Sequence, residues 1–561
     1  MRWFCVLFAA WLAWPGAARA QEHPEGWRLT ATKAAAIALA VPKVREEAAK
    51  HAHIEVSATP RLQDGRWEVS VLVPSGGNRA HEVAYALLDD RTARVQEAWT
   101  GVQIGWPMAR GYPGAFGDKI NAPWVWIALS VLFVAPFVRR RPSLVHLDLA
   151  VLLAFSLSYA AFNDANLGLS VPSAYPLLGY LLARTLWAAW HGSRGAVSVL
   201  PDGVLFVALV FLVGFRAAIT LAGGNVIDVG YSGVIGADHL AHLQPLYGAF
   251  PADNAHGDTY GPVAYAAYVP FELVWPWSGT WDSLPAAQAA AAGFDLACIG
   301  LCFLLGRRLG GRRFGLLLAY LWAAYPFTLL VLASGANDSL VALLVLVTLL
   351  VSARPLARGA ALALAGLTKF GPFLLVPVLA TYRRGTVKTL AATVIVSMLV
   401  LAPFDPAKFW RRTIAFQSGR DSPFSVWGLW HLGPLHAAAE LGAVALAVAL
   451  AFVPRRRDLF TVCAVSAAVL LALQIALGHW FYLYLVWFLA PLWVALLAPR
   501  SAERASTSSR SASSRRPGAP SPSMSSSRAS SAATRAAPAS SPSDVSISNA
   551  WWSKIVRSVT Q

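Results

Sequence analysis

Between residues 122 and 498 the chain carries eleven apolar stretches, each close to the length a helix needs to cross a bilayer. They are 122–138, 144–162, 174–190, 203–222, 286–305, 314–333, 338–352, 386–403, 434–453, 459–477 and 480–498. The hydrocarbon core is roughly 30 Å thick and a helix rises about 1.5 Å per residue, so a span takes about 20 mostly apolar residues. The pattern predicts an α-helical polytopic membrane protein with about eleven transmembrane helices. Composition agrees, with 56% of the 561 residues hydrophobic and only 13% charged. A soluble domain carries roughly 25% charged residues, so an ordinary cytoplasmic enzyme is excluded.

The 46 Lys and Arg outnumber the 29 Asp and Glu, leaving a formal charge of +17. In so apolar a chain this excess does not call for nucleic acid, because cytoplasmic loops of membrane proteins collect basic residues. Arg139, Arg140 and Arg141, Arg194, Arg307 and Arg308, Arg354 and Arg358, Arg383 and Arg384, and Arg455 to Arg457 all fall on one side of the eleven spans. That side is expected to be cytoplasmic, with the N-terminus outside and the C-terminus inside. Two further apolar stretches would break this parity if each crossed the membrane. Residues 259–277 contain three prolines with Trp275 and Trp277, and read as lying along the outer interface. Residues 359–380 lie between Arg358 and Arg383, which both favour the inner side. Two half-helices meeting near Lys369-Phe370-Gly371-Pro372 satisfy both flanks, and such a re-entrant helical hairpin is tolerated where protein buries it.

The ends read differently. Residues 1–20 have one early Arg, a short apolar core and an Ala18-Arg19-Ala20 ending, the pattern of a signal peptide. Residues 21–121 read as an extracytoplasmic α+β domain. An Ala-rich helical stretch broken at Pro42 is followed by alternating strands, WEVSVLV and HEVAYALLDD, with Ser75-Gly76-Gly77-Asn78 as the turn between them. The order resembles a PepSY-type domain, including Trp67-Glu68-Val69 and the turn Asp89-Asp90-Arg91-Thr92 before Val95. Residues 500–561 are rich in Ser, Ala, Pro and Arg and are expected to form a disordered basic cytoplasmic tail. Cys298, Cys302 and Cys463 lie within apolar runs and read as small buried hydrophobes.

Chemistry is expected on the outer face. The loop at 223–285 contains no Lys or Arg but carries Asp228, Asp238, Asp253, Asp258, Glu272 and Asp282. A carboxylate within hydrogen-bond reach of a hydroxyl can act as general base, and Asp228 sits only a few residues past a span; Asp238 and Asp258 are the further candidates. The loop at 404–433 is basic, with Lys408, Arg411, Arg412 and Arg420. Outer positive charge runs against topology, and arginine clusters bind phosphate through forked hydrogen bonds. Within the apolar segments, Arg216, Asp295 and Lys369 are functional candidates because charge there is costly. Arg216 and Lys369 can face a lipid phosphate, and Asp295 can neutralise one of them. His479 is a further phosphate donor. The chain has no Walker loop, no GxGxxG after a strand, no HExxH, no CxxC and no Asp-x-Asp pair. No metal-ligand spacing and no cofactor motif is present.

The order Asp228-Val229-Gly230-Tyr231, Gln244-Pro245-Leu246-Tyr247, Tyr260-Gly261-Pro262, Asn337-Asp338 and Gly366-Leu367-Thr368-Lys369-Phe370-Gly371-Pro372 resembles the GT-C superfamily of membrane glycosyltransferases. It is most similar to the bacterial branch that uses polyprenyl-phosphate sugars, such as the polyprenol-phosphate-mannose-dependent mannosyltransferases. The likeness covers residues 203–499, leaving 122–202 as three additional transmembrane helices. It implies an inverting transfer from a polyprenyl-phosphate donor, itself a substrate, to a lipid, glycan or protein acceptor on the outer face of the plasma membrane. Asp228 would then be the base. Lys369, Arg216, Arg411, Arg412, Arg420 and His479 would hold the donor phosphate, with only Lys369 matching a family motif. Tyr231, Tyr247 and Tyr260 would contact substrate. Two departures stand out: many members begin with the span before the acidic loop, and Asp228 is not one of an adjacent acidic pair.

Two other classes fit the same features. A transporter or lipid flippase would use the re-entrant element and Asp295 as a midplane site, although no internal repeat accompanies them. A scaffold for the N-terminal domain would leave the spans without chemistry of their own.

Overall fold

A computed structural model of the chain describes residues 26–61, 65–75, 79–101, 104, 119–138, 142–193, 195, 198–251, 254–418 and 422–499. The proposed signal peptide, the tail from 500 onwards and Arg420 lie outside the described residues.

The N-terminal part is a four-stranded antiparallel meander in the order β1-β2-β3-β4, comprising Glu55–Arg61, Arg66–Ser75, Arg79–Asp89 and Val95–Thr100. The Ala-rich stretch gives two helices rather than one. Thr30 caps Ala31–Ala40 by accepting from the Lys33 amide, and Val41 then turns extended. Pro42, which has no amide proton to give, opens Pro42–Ala48 at the one position where a helix loses nothing by it. Ala34, Ala38 and Val44 pack on Trp67, Val69, Val71, Ala84, Ala86 and Leu88. The Asp90 carboxylate ties the turn to the start of the domain, accepting from the Leu29 amide at 2.9 Å and from the Trp67 indole at 3.1 Å.

The remainder is helical and apolar, as a membrane protein requires, but the count of eleven spans is not reached. Among the described residues five helices are long and apolar enough to cross a bilayer: Leu144–Asn163, Asp202–Gly223, Pro285–Ala324, Gly433–Phe452 and Leu459–Ala476. The pair Thr386–Leu401 and Pro406–Ser418, bent by 106°, makes a sixth if taken as one span. The other apolar helices are shorter or interrupted by proline. Pro123–Val134 has 12 residues, Asp338–Leu350 has 13 and Val486–Leu497 has 12, while Leu167–His191 carries Pro172 and Pro176 inside it.

The 40 residues of Pro285–Ala324 do not run straight. Gly310 and Gly311 leave helical geometry, Gly311 at φ +79°, and the chain turns back. A Cβ on Gly306 would stand 2.8 Å from the Gly315 Cα, and the Trp322 indole reaches the Asp295 carboxylate at 2.8 Å. Both contacts require antiparallel arms. The two stretches 286–305 and 314–333 are therefore separate legs of one hairpin, the second continuing through Pro326–Ala333.

Residues 355–381 form a shorter hairpin. Helix Pro355–Gly366 stops before Lys369, and a 3-10 turn, Gly371–Leu375, leads into Val376–Thr381. The guanidinium of Arg358 closes its base, donating to the Ser352 carbonyl at 2.6 Å, the Tyr382 carbonyl at 2.9 Å and Thr389 Oγ1 at 3.1 Å. Entry and exit thus meet, and Lys369 sits at the far end. Each leg of about 12 residues rises roughly 18 Å, well short of a bilayer core. Arg358 is fully buried and answered by oxygens rather than by a carboxylate. Arg358→Met should therefore orphan the two carbonyls and cost roughly 3 kcal/mol. The expected reading is a lower thermal midpoint of the detergent-solubilised protein, with the hairpin becoming protease-sensitive. The stretch 259–277 gives two short helices, Pro262–Ala266 and Val269–Glu272, neither long enough to span.

Candidate functional site

The loop from 224 onwards is pinned to the hairpin's second leg. The amides of Asn225 and Ile227 each donate at 3.0 Å to the carbonyls of Ala333 and Ser334. Gly230 lies so close to the Gly335 carbonyl, 2.5 Å from where a Cβ would be, that no larger residue fits without a shift. These contacts fix the start of helix Asp228–Ala241, whose first residue is half-buried. An acid at that position is favoured by the helix dipole. The Asp228 carbonyl accepts from Ser232 Oγ at 2.7 Å and from Asn254 Nδ2 at 3.2 Å, which anchors the next part of the loop to the same turn.

The loop then crosses the tip of the short hairpin. Gly261 and Val263 donate their amides, each at 3.2 Å, to the carbonyls of Thr368 and Leu367. Beside this junction Lys369 Nζ lies 2.8 Å from Asp338 Oδ1, which also accepts from the Trp487 indole at 2.9 Å. The rings of Tyr260, Tyr484 and Trp487 stand 5.1, 5.2 and 5.9 Å from the ammonium. Asp338 is fully buried and Lys369 keeps 7% of its surface exposed. A cation on the face of aromatic rings, with one buried carboxylate as partner, is held electrostatically.

Asp258 and Arg412 are brought together. Asp258 is fully buried, and its Oδ2 accepts from Arg412 Nε at 2.7 Å and from the Gly248 amide at 2.6 Å. Arg412 also donates to the Ala255 carbonyl. The hydrogen bond to Asp258 raises the affinity of Arg412 for its proton, and burial pushes the Tyr247 phenol up. A base held by a guanidinium is a poor proton acceptor, so Asp258 and Arg412 lock the 254–258 turn to helix Pro406–Ser418. Asp238 lies toward the opposite end of its helix from Asp228 and pairs with His242 at 3.0 Å.

Arg216 is paired inside the bundle with Asp295, one of the two partners expected for it. Its Nη2 and Nε donate to Asp295 at 2.6 and 3.2 Å, and its Nη1 donates to the Ala323 carbonyl and Thr328 Oγ1, both at 3.1 Å. Four of its five N–H groups are used inside the bundle, so it clamps the long hairpin to Asp202–Gly223 instead of facing a phosphate. Arg411 is exposed, and His479 Nδ1 pairs with Ser422 Oγ at 2.7 Å. Tyr231 is buried and stacks on Trp281 at 4.9 Å, which is packing. Tyr247 spends its hydroxyl on the Tyr260 carbonyl at 3.1 Å, leaving Tyr260 as the tyrosine against the Lys369 cage.

No family model, curated protein or solved structure matches this chain. What the residues can do must therefore be read from their arrangement. Asp338, Trp487 and Tyr484 belong to the site although sequence reasoning gave them no role. The Asn337-Asp338 pair at a helix start was the visible signal for the first; the aromatic pair lies more than a hundred residues away in sequence and carried none. Among the described residues no three His, Cys, Asp or Glu side chains gather as a metal site.

Proposed function

We propose that the chain is a membrane glycosyltransferase that moves a sugar from a polyprenyl-phosphate donor to an acceptor at the outer face of the plasma membrane. The observation that carries this reading is the meeting of the acidic loop and the lysine-tipped hairpin. Backbone hydrogen bonds at Gly261 and Val263 join the loop that begins with Asp228 to the tip that holds Lys369.

The chemistry needs these two functions side by side. Asp228 takes the proton of the acceptor hydroxyl as its oxygen attacks the anomeric carbon. The bond from that carbon to the phosphate oxygen breaks, its electron pair stays on that oxygen, and polyprenyl phosphate leaves. The Lys369 ammonium stabilises the charge that develops there. Displacement in one step inverts the anomeric carbon. The apolar helices supply the lipid-facing surface along which such a donor arrives. Mannose is the sugar that the sequence resemblance implies.

The Arg216–Asp295 pair, satisfied internally, speaks against a transport site at that depth. The test of the reaction class is the product's anomeric configuration. A purified protein given β-linked polyprenyl-phosphate hexoses and an envelope acceptor fraction should yield an α-linked product by NMR. A β-linked product would exclude single displacement, and no product from any donor would remove the enzyme reading.

A further inference from the structure

Asn337 stands at the N-cap of helix Asp338–Leu350 but does not cap it. Asparagine is favoured at that position because its side-chain oxygen accepts from the first free amides of the helix, and losing that bond costs about 1 kcal/mol. Here the side chain is 1% exposed, and neither its Oδ1 nor its Nδ2 has a hydrogen-bond partner. The neighbouring Asp338 gives Oδ1 to both Lys369 and Trp487, and its Oδ2 is likewise buried without a partner. Three orphaned polar atoms lie on two adjacent buried residues, one of which pairs with the Lys369 ammonium, and folding does not explain them. Buried polar groups are nearly always paired, and exceptions point to a ligand or a functional role.

The geometry points to Asn337 and Asp338 Oδ2 as a hydroxyl-reading wall that selects the sugar of the donor. This rests on the proposed transferase reading and extends it to specificity. The chemistry of the set decides the ligand. An amide offers two N–H donors and an acceptor, and a carboxylate oxygen adds an acceptor. A phosphate, which only accepts at this pH, would be repelled by Asp338. A sugar hydroxyl, which both donates and accepts, matches the set. In a glycosyl phosphate the hydroxyls lie beside the phosphate, as Asp338, next in sequence to Asn337, lies beside Lys369. Ser339 Oγ is also buried without a partner, and its backbone carbonyl accepts from Cys298 Sγ at 3.3 Å. It is not part of the proposed pair and serves as a control.

The experiment uses the full chain in lipid nanodiscs and native mass spectrometry. Bare polyprenyl phosphate competes against polyprenyl-phosphate mannose and polyprenyl-phosphate glucose. The wild type is expected to prefer at least one sugar-bearing lipid by about tenfold or more, since a site built to bond hydroxyls rejects a ligand lacking them. Asn337→Leu should bind the bare lipid as before and lose the preference to within twofold. Ser339→Ala should keep it. Because the Asn337 side chain holds nothing in place, Asn337→Leu should melt no lower than wild type, and the shape-conserving Asn337→Asp should lose preference as well. A preference that survives in Asn337→Leu, an absent preference in wild type, or a marked loss of stability in Asn337→Leu would each overturn the wall. The transferase reading is judged separately, because binding preference needs no turnover: Asp228→Asn should keep the preference while its transfer falls roughly 100-fold or more.

Discussion

Asp228→Asn is expected to lower transfer roughly 100- to 10,000-fold, the range that a positioned general base contributes. The substitution keeps the shape of the side chain and removes its basicity. Helix Asp228–Ala241 should be retained, because its start is fixed by backbone bonds from Asn225 and Ile227 and by the close approach of Gly230 to Gly335. Expression, membrane insertion and thermal midpoint should match wild type, and only the rate should fall. The same substitution at Asp238, which pairs with His242, should change the rate little. Rates measured side by side with a radiolabelled donor check this. Equal losses at both positions would mean that the loop's charge, not one base, is what matters.

Lys369→Met is expected to have the second largest effect. Removing one group that stabilises charge in the transition state costs roughly 100- to 1,000-fold in rate. The same change strands the buried Asp338 carboxylate, and breaking a buried ion pair costs about 3–5 kcal/mol. Rate and stability therefore fall together, and a single variant cannot separate them. The double variant Lys369→Met with Asp338→Asn removes the stranded charge and keeps a partner for the Trp487 indole. Its thermal midpoint should recover most of the loss while its rate stays low. Recovery of the rate along with stability would make Lys369 a structural cation, like Arg358 at the hairpin's base.

The helical, membrane-embedded character was legible because burial in lipid forces a length and an apolarity that composition exposes directly. The short hairpin was legible too, since Arg358 and Arg383 flank a stretch broken at Gly371-Pro372. The number of long helices was not. Helices such as Pro123–Val134, Asp338–Leu350 and Val486–Leu497 end after 12 or 13 residues, inside apolar stretches that a hydropathy window reads as longer. Site residues divided along a similar line. Asp228 and Lys369 could be singled out because each departs from its local surroundings. Arg216, Arg412 and Asp258 departed equally, yet their partners Asp295 and each other lie 79 and 154 residues away in sequence. A charge paired across the fold and a charge held ready for a ligand look alike until the fold is known. At Asn337 the usual preference for a cap predicts a bond that the structure does not make, and that mismatch is what marks it.

The most direct measurement uses sealed proteoliposomes of the purified chain, with radiolabelled polyprenyl-phosphate mannose and a panel of other polyprenyl-phosphate sugars. An acceptor fraction is supplied on one side only. Transfer of label to the acceptor, without protein-dependent movement of labelled lipid across the bilayer, is the expected result. Labelled lipid that crosses the bilayer while the acceptor stays unlabelled would contradict the transferase and make the chain a transporter.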